Sequence, residues 1–263
     1  MALEQFQLDG QVAIVTGAGR GVGEGIAKVL AEAGATVVGT ARTTSEIEST
    51  IEDITSAGGK GLALTADALQ RDDSERVVEA AVEQFGRVDV LVNNVGFHVA
   101  YAPFLDQTDE NLRLAFEYCV MSAFIMSQLV VPHMLQVGAG SIVNISSGAS
   151  RFGIRGLLPY SAAKGGLEAL TRAMAQELAP KIRVNAISLG SFMTGGLQYS
   201  FDLIPGSEEK LKELTPLHRI GDVADLGRLT LYLSTRDCYA TSSVFVVDGG
   251  LQGPNSTLPM PDL

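Results

Sequence analysis

Apolar residues fall into two alternating patterns along the chain. Short aliphatic runs predict buried strands, and longer stretches whose apolar positions recur every three to four residues predict amphipathic helices. The strands are expected at 12–16, 36–40, 61–66, 88–92, 141–145, 182–187 and 244–247. Because strands joined by helical crossovers pair in parallel, the sequence predicts an α/β fold: a doubly wound, seven-stranded parallel sheet with helices on both faces.

The helical pattern divides the rest of the chain. One helix follows a glycine-rich turn and ends at Gly34, and others are expected at 45–57, 72–85, 109–136, 159–178 and 223–233. A glycine-hinged apolar segment at about 191–216 is predicted to be a lid over a substrate, although ordinary helix packing explains the same pattern. We expect a single domain over 1–263, with a proline-containing tail at about 252–263.

Composition and charge disfavour several classes of protein. The 263 residues are 46% hydrophobic and carry a net charge of −11, which argues against nucleic acids and anionic membranes as partners. No uninterrupted apolar run approaches ~18 residues, so no membrane-spanning segment is expected. Cys119 and Cys238 lie far apart without metal-ligand spacing. This spacing predicts reduced thiols, no metal site and a cytoplasmic location.

The first predicted strand runs directly into a glycine-rich turn. The turn contains Gly17, Gly19, Arg20, Gly21, Val22 and Gly23. Glycine lets the backbone approach a pyrophosphate closely, and the N-terminus of the following helix attracts its negative charge. The strand–turn–helix context favours dinucleotide binding over a purely structural turn.

The end of the second strand bears on the choice of cofactor. Dinucleotide-binding units that select NAD place an acid near this point, where it binds the ribose hydroxyls. Here Ala41 leaves that place without an acid, and Arg42 follows it. Together with Arg20, Arg42 favours a 2′-phosphate, so NADP is the preferred cofactor and NAD a possible one. The alternative is that both arginines are solvated surface side chains.

Tyr160 and Lys164 are the first candidates for chemistry. They are four residues apart in a predicted helix and therefore share one face. A lysine ammonium beside a phenol favours the phenolate, which makes a tyrosine usable as a general acid or base near neutrality. Ser147 follows the fifth strand, at the sheet edge where open α/β folds place their sites. The tyrosine–lysine motif alone is common by chance, so its weight depends on the other features.

Several motifs in this order resemble those of the short-chain dehydrogenase/reductase family, from residue 9 to residue 251. They are the turn 17–23, Asp67, Asn-Asn-Val-Gly at 93–96, Ser147, Tyr160 with Lys164, Arg-Val-Asn at 183–185 and Asp-Gly-Gly at 248–250. The resemblance implies a Rossmann fold and an NAD(P)-dependent oxidoreductase that interconverts a ketone and a secondary alcohol. Bacterial hydroxysteroid dehydrogenases and 3-oxoacyl reductases are similar members of the family.

The resemblance also implies roles for individual residues. Tyr160 would exchange a proton with the substrate oxygen, Lys164 would bind the nicotinamide ribose, and Ser147 would hold the substrate oxygen. Asp67 would contact the adenine edge, and Thr194 the nicotinamide carboxamide. The expected cofactor-binding set is Gly17, Arg20, Gly21, Val22, Gly23, Arg42, Asp67, Ala68, Asn93, Gly96, Tyr160, Lys164, Gly190, Phe192 and Thr194.

The chain departs from the family pattern at Cys119, which stands where a catalytic asparagine is usual. A thiol cannot replace the donors and acceptor of a carboxamide, so the backbone carbonyl at this position would have to hold the relay water. That carbonyl is available only if the helix is irregular there. The alternative is that Cys119 is a small buried residue and that the proton leaves by another route, such as the hydroxyl of Ser122. Smaller departures occur at Val95, Leu189 and Ser242.

Two functions from different classes therefore stay open. The first is an oxidoreductase, and the second is a cofactor-binding protein with weak or lost catalysis that acts as a sensor or assembly partner. The apolar segment 191–216 favours a bulky apolar small-molecule substrate such as a steroid, a terpenoid or an acyl chain. His98 is a candidate substrate contact or a solvated loop residue.

The resemblance further implies a homotetramer. Its interfaces are expected on the helices 109–136 and 159–178 and on the sheet edge near 244–247. The apolar tail 252–263 is expected to dock on a neighbouring subunit.

Overall fold

The computed structural model describes residues 4–96 and 101–254. Within these ranges the strands are β1 (Val12–Thr16), β2 (Thr36–Ala41), β3 (Lys60–Thr65), β4 (Val90–Asn93), β5 (Gly140–Ser147), β6 (Ile182–Leu189) and β7 (Val244–Val247). They pair in parallel in the order β3-β2-β1-β4-β5-β6-β7. The predicted seven-stranded, doubly wound parallel sheet is thus confirmed.

Helices connect the strands as the periodicity predicts. They are α1 (Gly21–Glu32), α2 (Thr44–Ser56), α3 (Arg71–Phe85), α4 (Asp109–Phe116), α5 (Ser122–Val137), α6 (Ala149–Phe152), α7 (Leu158–Leu178), α8 (Gly195–Leu203), α9 (Ser207–Leu214) and α10 (Val223–Ser234). Most boundaries fall within about three residues of the predicted ones. The sequence reading missed the short helix α6 and the full length of β6.

Two apolar cores cover the two faces of the sheet. Successive strand residues point to opposite faces, so Ala13 and Val15 join the core beneath α1, α2 and α10. Val12 and Ile14 join the opposite core, which is closed by α3, α5 and α7. Helices on both faces are therefore what this buried strand pattern requires.

The long helix predicted at 109–136 is interrupted. A π-helical turn, Glu117–Met121, joins α4 to α5 and contains the buried Cys119. The irregularity expected around Cys119 is confirmed. By length and composition alone, Asp109–Val137 could cross a membrane, with a mean hydropathy of 1.7. Polar residues are interspersed in this stretch, so it contains no long uninterrupted apolar run. The stretch packs against α3, α7 and β5 as a layer of the fold.

The segment at 191–216 contains α8 and α9. Phe192, Phe201 and Leu211 are buried, whereas Tyr199 is exposed. Part of the segment therefore packs as ordinary helix, and its action as a lid stays a prediction. His98 and residues 255–263 of the tail lie outside the described residues, so the expectations for them also stay predictions.

Candidate active site

The carboxyl ends of β1, β2, β4, β5 and β6 meet at one edge of the sheet, because the strands are parallel. Thr16, at the end of β1, ties two of these strands together. Its hydroxyl accepts the backbone amides of Asn94 at 3.1 Å and Val95 at 3.3 Å. The Asn94 side chain donates in return to the carbonyls of Thr16 and Gly17, both at 3.0 Å. These contacts fix the floor of a cleft between the two strands.

The glycine-rich turn forms a cradle that side chains would fill. Gly17 and Gly21 have positive φ angles of 64° and 60°, which favour glycine. A Cβ on Gly23 would lie 2.2 Å from the Gly17 carbonyl oxygen, so only glycine fits there. Arg20 is the N-cap of α1 and provides no side-chain cap for its first-turn amides. The turn thus fits a pyrophosphate, whose oxygens would accept hydrogen bonds from these amides.

The cleft has a volume of about 240 Å³. Its lining comprises Gly17, Gly19, Arg20, Thr40, Ala41, Arg42, Thr43, Glu46, Ala66, Asp67, Ala68, Asn94, Val95, Gly96 and Tyr118. Six residues of the expected cofactor set, Gly17, Arg20, Arg42, Asp67, Ala68 and Gly96, are among them. Asn94, Glu46 and Tyr118 are additions that the sequence reading missed.

Asp67 is held in place from the adjacent helix. Its backbone amide donates to the Asp73 carboxylate at 2.8 Å, and its own carboxylate accepts the amide of Leu69 at 3.1 Å. The amide of Asp67, together with the Arg76 guanidinium, holds the pKa of Asp73 below its usual range. The Asp73 carboxylate therefore stays charged and keeps Asp67 at the cleft through the neutral pH range.

Two guanidinium groups line the cleft from different directions. Arg42 Nη1 donates to the Tyr118 hydroxyl at 3.3 Å, and its guanidinium lies 5.8 Å from the centre of that ring. The side chain of Arg20 is 82% exposed and reaches Glu46 Oε1 at 3.5 Å. The sequence located both arginines at the cleft, whereas Glu46 and Tyr118 come from distant elements that no local pattern identifies.

The three predicted catalytic residues lie on β5 and α7. Lys164 is only 2% exposed, and its Nζ donates to the Ile145 carbonyl at 2.7 Å, two residues before Ser147. The same Nζ lies 5.7 Å from the centre of the Tyr160 ring. The Ser147 hydroxyl accepts the amide of Ala149 at 3.2 Å, which fixes its position at the start of α6. One lysine thus connects the strand that carries the serine to the helix that carries the tyrosine.

Gly96 connects this group to the cofactor cleft. A Cβ on Gly96 would lie 2.6 Å from Lys164 Nζ and 3.6 Å from the sulfur of Cys119. The buried lysine, the π-helical turn and the cleft therefore meet at one glycine. No part of the sequence motif specifies this contact.

Glu168 was not identified from the sequence. It stands one helical turn beyond Lys164 on α7, and its Oε1 accepts the Ser146 hydroxyl at 2.8 Å and the Ser150 hydroxyl at 2.5 Å. These two serines flank Ser147 in the chain. The spacing of 160, 164 and 168 is a signal that could have placed Glu168 on the catalytic face of the helix.

The Ser147 loop is also tied to the end of β7. Arg151 forms an ion pair with the buried carboxylate of Asp248, which in turn accepts the amide of Gly250 at 2.9 Å. Gly190 packs directly on the same aspartate, since a Cβ there would lie 2.7 Å from the Asp248 Cα. The Asp-Gly-Gly motif therefore anchors the loops around the site.

The remaining predicted cofactor residues are dispersed. Thr194 lies opposite Gly21, with its Cγ2 3.3 Å from a Cβ built there. Val22 is half-buried on α1. Phe192 is buried against Gly221. Asn93 is buried too, and its amide donates to Asn144 at 2.9 Å and Ser127 at 3.1 Å. Its side chain thus joins the sheet to α5, and Asn94 takes the position at the cleft.

In the described residues no group of three or more histidine, cysteine, aspartate or glutamate side chains is arranged to hold a metal ion. Cys119 and Cys238 are both free thiols and both buried. The candidate chemistry therefore lies in the serine, tyrosine and lysine and in the nucleotide cleft.

Comparisons with known proteins agree with this geometry. A family model described as enoyl-(acyl carrier protein) reductase matches residues 17–252. An uncharacterised oxidoreductase of Mycobacterium tuberculosis is 38% identical over 100% of both chains. The 7alpha-hydroxysteroid dehydrogenase of Escherichia coli is 34% identical over 94% of this chain and 96% of its own.

Among solved structures, a 7 alpha-hydroxysteroid dehydrogenase complexed with NADH and 7-oxo glycochenodeoxycholic acid superposes with a TM-score of 0.90. It is 32% identical and covers 96% of this chain and 98% of its own. The chain belongs to the short-chain dehydrogenase/reductase family and is an oxidoreductase with the Rossmann-type fold of that family. The family uses NAD(P), and its enzymes act on CH–OH groups.

Proposed function

We propose that this protein interconverts a ketone and a secondary alcohol on a bulky apolar substrate. Tyr160 is the general acid and base, and Lys164 and Ser147 assist it. The observation that carries the proposal is the position of Lys164. Its buried ammonium bonds the strand that leads to Ser147, lies beside the Tyr160 ring and borders Gly96 of the cleft. A protein that only bound nucleotide would not require this lysine to lie between a tyrosine and the serine strand.

These contacts indicate what the cofactor and each side chain contribute to the reaction. The nicotinamide cofactor supplies hydride when bound, and the chain supplies orientation and a proton. Tyr160 exchanges the proton with the substrate oxygen, and Lys164, whose ammonium lies beside the tyrosine ring and bonds the serine strand, holds the two in one arrangement. The Ser147 hydroxyl accepts a hydrogen bond from Ala149 and keeps its own hydrogen to donate to the substrate oxygen.

We propose NADP as the preferred cofactor, with NAD as a possible one. The support is the pair of guanidinium groups, Arg20 and Arg42, in the cleft beside Ala41. Each charge-assisted contact to a 2′-phosphate would contribute about 1.5–3 kcal/mol. The ratio of kcat/KM values for NADPH and NADH measures the preference, and a ratio of one would overturn it.

A steroid-like, terpenoid or acyl ketone is the proposed substrate class. Relatives named for a hydroxysteroid and a family model named for an acyl carrier protein support the steroid-like and acyl candidates. Purified protein is to be tested for oxidation of NADPH with a 7-oxo bile acid, a terpenoid ketone and a 3-oxoacyl thioester. Turnover of one of them by the wild type, and its loss in Tyr160→Phe, is the expected result. Wild-type protein that binds NADPH but reduces none of these ketones would refute the proposal that it is an enzyme acting on this substrate class.

The second candidate is a cofactor-binding protein with weak or lost catalysis, and one observation favours it. Cys119 is completely buried at the position of the usual asparagine, with its sulfur near Gly96. Single-turnover measurements separate the two candidates. An enzyme transfers hydride to a ketone within one turnover, whereas a sensor binds NADPH without transferring it.

We further propose a cytoplasmic homotetramer. Its support is a row of apolar side chains that stay exposed on α4, the π-helical turn and α5: Leu112, Phe116, Met121 and Phe124. Light scattering is expected to give four chains for the wild type. Phe124→Asp should give smaller species, and Leu214→Asp, an equally exposed apolar position on α9, should not. A monomeric wild type would refute the assembly.

A further inference from the structure

Glu46 lies where the second strand lacks an acid. It belongs to the first turn of α2, a helix that packs against β2. A Cβ built on Gly19 would lie 2.9 Å from the Ala41 Cβ and 3.0 Å from the Glu46 Cβ. The side chains of Ala41 and Glu46 therefore border the same point of the glycine-rich turn. Glu46 also lines the cleft.

The carboxylate of Glu46 is directed toward the cationic side of the cleft. Its Oε1 lies 3.5 Å from Arg20 Nη1, and its side chain is 35% exposed. Arg42 is held separately by the Tyr118 hydroxyl. An exposed ion pair of this length contributes little to stability, so the Glu46–Arg20 contact is free to exchange partners.

We infer that Glu46 determines cofactor specificity: it supplies from α2 the carboxylate that Ala41 lacks, and it limits the preference for NADP. The inference rests on the proposed NAD(P)-dependent function. With NAD, the carboxylate would accept a hydrogen bond from the adenosine ribose, as an acid at the end of the second strand does in NAD-selecting folds. With NADP, Arg20 would turn from Glu46 to the 2′-phosphate, which would lie near a like charge.

Glu46→Gln separates charge from hydrogen bonding, because glutamine keeps an acceptor oxygen. The Kd values of NADPH and NADH are to be measured by fluorescence titration, which requires no substrate. NADPH should bind about five- to tenfold more tightly to the variant, as expected for removal of one solvent-exposed like-charge contact. NADH should weaken by less than about threefold with glutamine and by more with Glu46→Ala, which loses the acceptor as well.

Glu48→Gln is the matched control. Glu48 is an exposed acid on the same helix and does not line the cleft, so this variant has the same net charge as Glu46→Gln. Its ratio of NADH to NADPH Kd values should stay within about twofold of the wild type. An equal ratio in the Glu46 and Glu48 variants would overturn the inference while leaving the oxidoreductase intact. Wild-type protein that binds neither nucleotide would overturn the proposed function and the inference with it.

Discussion

Lys164 donates a 2.7 Å hydrogen bond to the carbonyl oxygen of Ile145, two residues before Ser147. The bond crosses from α7 to β5 and is buried. It makes the position of the serine strand depend on the same ammonium group that lies beside Tyr160. Substitutions at this junction should therefore affect catalysis more than they affect nucleotide binding.

Tyr160→Phe removes the hydroxyl and retains the ring beside Lys164. We expect turnover to fall by ~10²–10⁴, the range for loss of a general acid. NADPH affinity should change little, because the cleft lining does not include this residue. Steady-state rates and a fluorescence titration of NADPH measure the two effects. Wild-type turnover in the variant would remove Tyr160 from the mechanism.

Gly96→Ala tests the contact between the cleft and Lys164. The new methyl group would lie 2.6 Å from Lys164 Nζ, so the ammonium must shift from its place beside the Tyr160 ring and the Ile145 carbonyl. A displacement of about 1 Å at a catalytic group costs roughly 10²-fold in kcat. Gly165→Ala is the control, because a Cβ there would lie within 4 Å of no described atom beyond its chain neighbours and the backbone of its own helix. Equal kcat values for the two variants would show that the lysine tolerates displacement.

Glu168 is expected to act as a positioning residue for Ser147. Glu168→Ala removes the acceptor shared by Ser146 and Ser150, so kcat should fall about tenfold through misplacement of the serine loop. NADPH affinity should stay unchanged, and Glu168→Gln should restore most of the rate. Glu177→Gln, at an exposed position of the same helix, serves as the control. A lower Tm without a change in kcat would show that Glu168 only stabilises the fold.

Cys119→Asn restores the carboxamide that is usual in the family. If position 119 serves the proton relay, kcat should be unchanged or higher, with an altered solvent isotope effect. Cys119→Ala is the control, since it removes the thiol without adding donors. Circular dichroism verifies the fold, because the site is fully buried. A large fall in kcat with normal folding would mean that position 119 is not part of the relay.

Most of the sheet could be predicted from the sequence, because parallel strands that are buried on both faces consist of continuous aliphatic runs. The irregular helix around Cys119 was expected from the family resemblance, because a free backbone carbonyl there requires it, but its π-helical form was not predicted. Ser242 stands where a glycine is usual in the family. Its φ angle of 62° shows that the backbone keeps the conformation that favours glycine.

Residues defined by contacts between distant elements could not be found in this way. Glu46 and Tyr118 reach the cleft from α2 and the π-helical turn, and their local sequence resembles ordinary helix surface. Asn93 was expected in the cofactor set, yet its side chain bonds to Asn144 and Ser127 beneath the sheet edge. Neighbouring residues of an extended chain point to opposite sides. Asn93, the last residue of β4, therefore points beneath the sheet edge, and Asn94, which follows it, lies at the cleft.

The nucleotide cleft and the candidate catalytic and substrate-facing residues come from different parts of the chain. Apart from Tyr118, the cleft lining comes from residues 17–96, whereas Ser147, Tyr160 and the segment 191–216 follow later. On the proposed lid role, a chimera that receives 197–216 from a relative, and so keeps Phe192 and Thr194, should accept a different ketone while keeping its nucleotide affinity. With such a lid, new substrates would be acquired by exchange of one late segment, and the nucleotide cleft would stay unchanged.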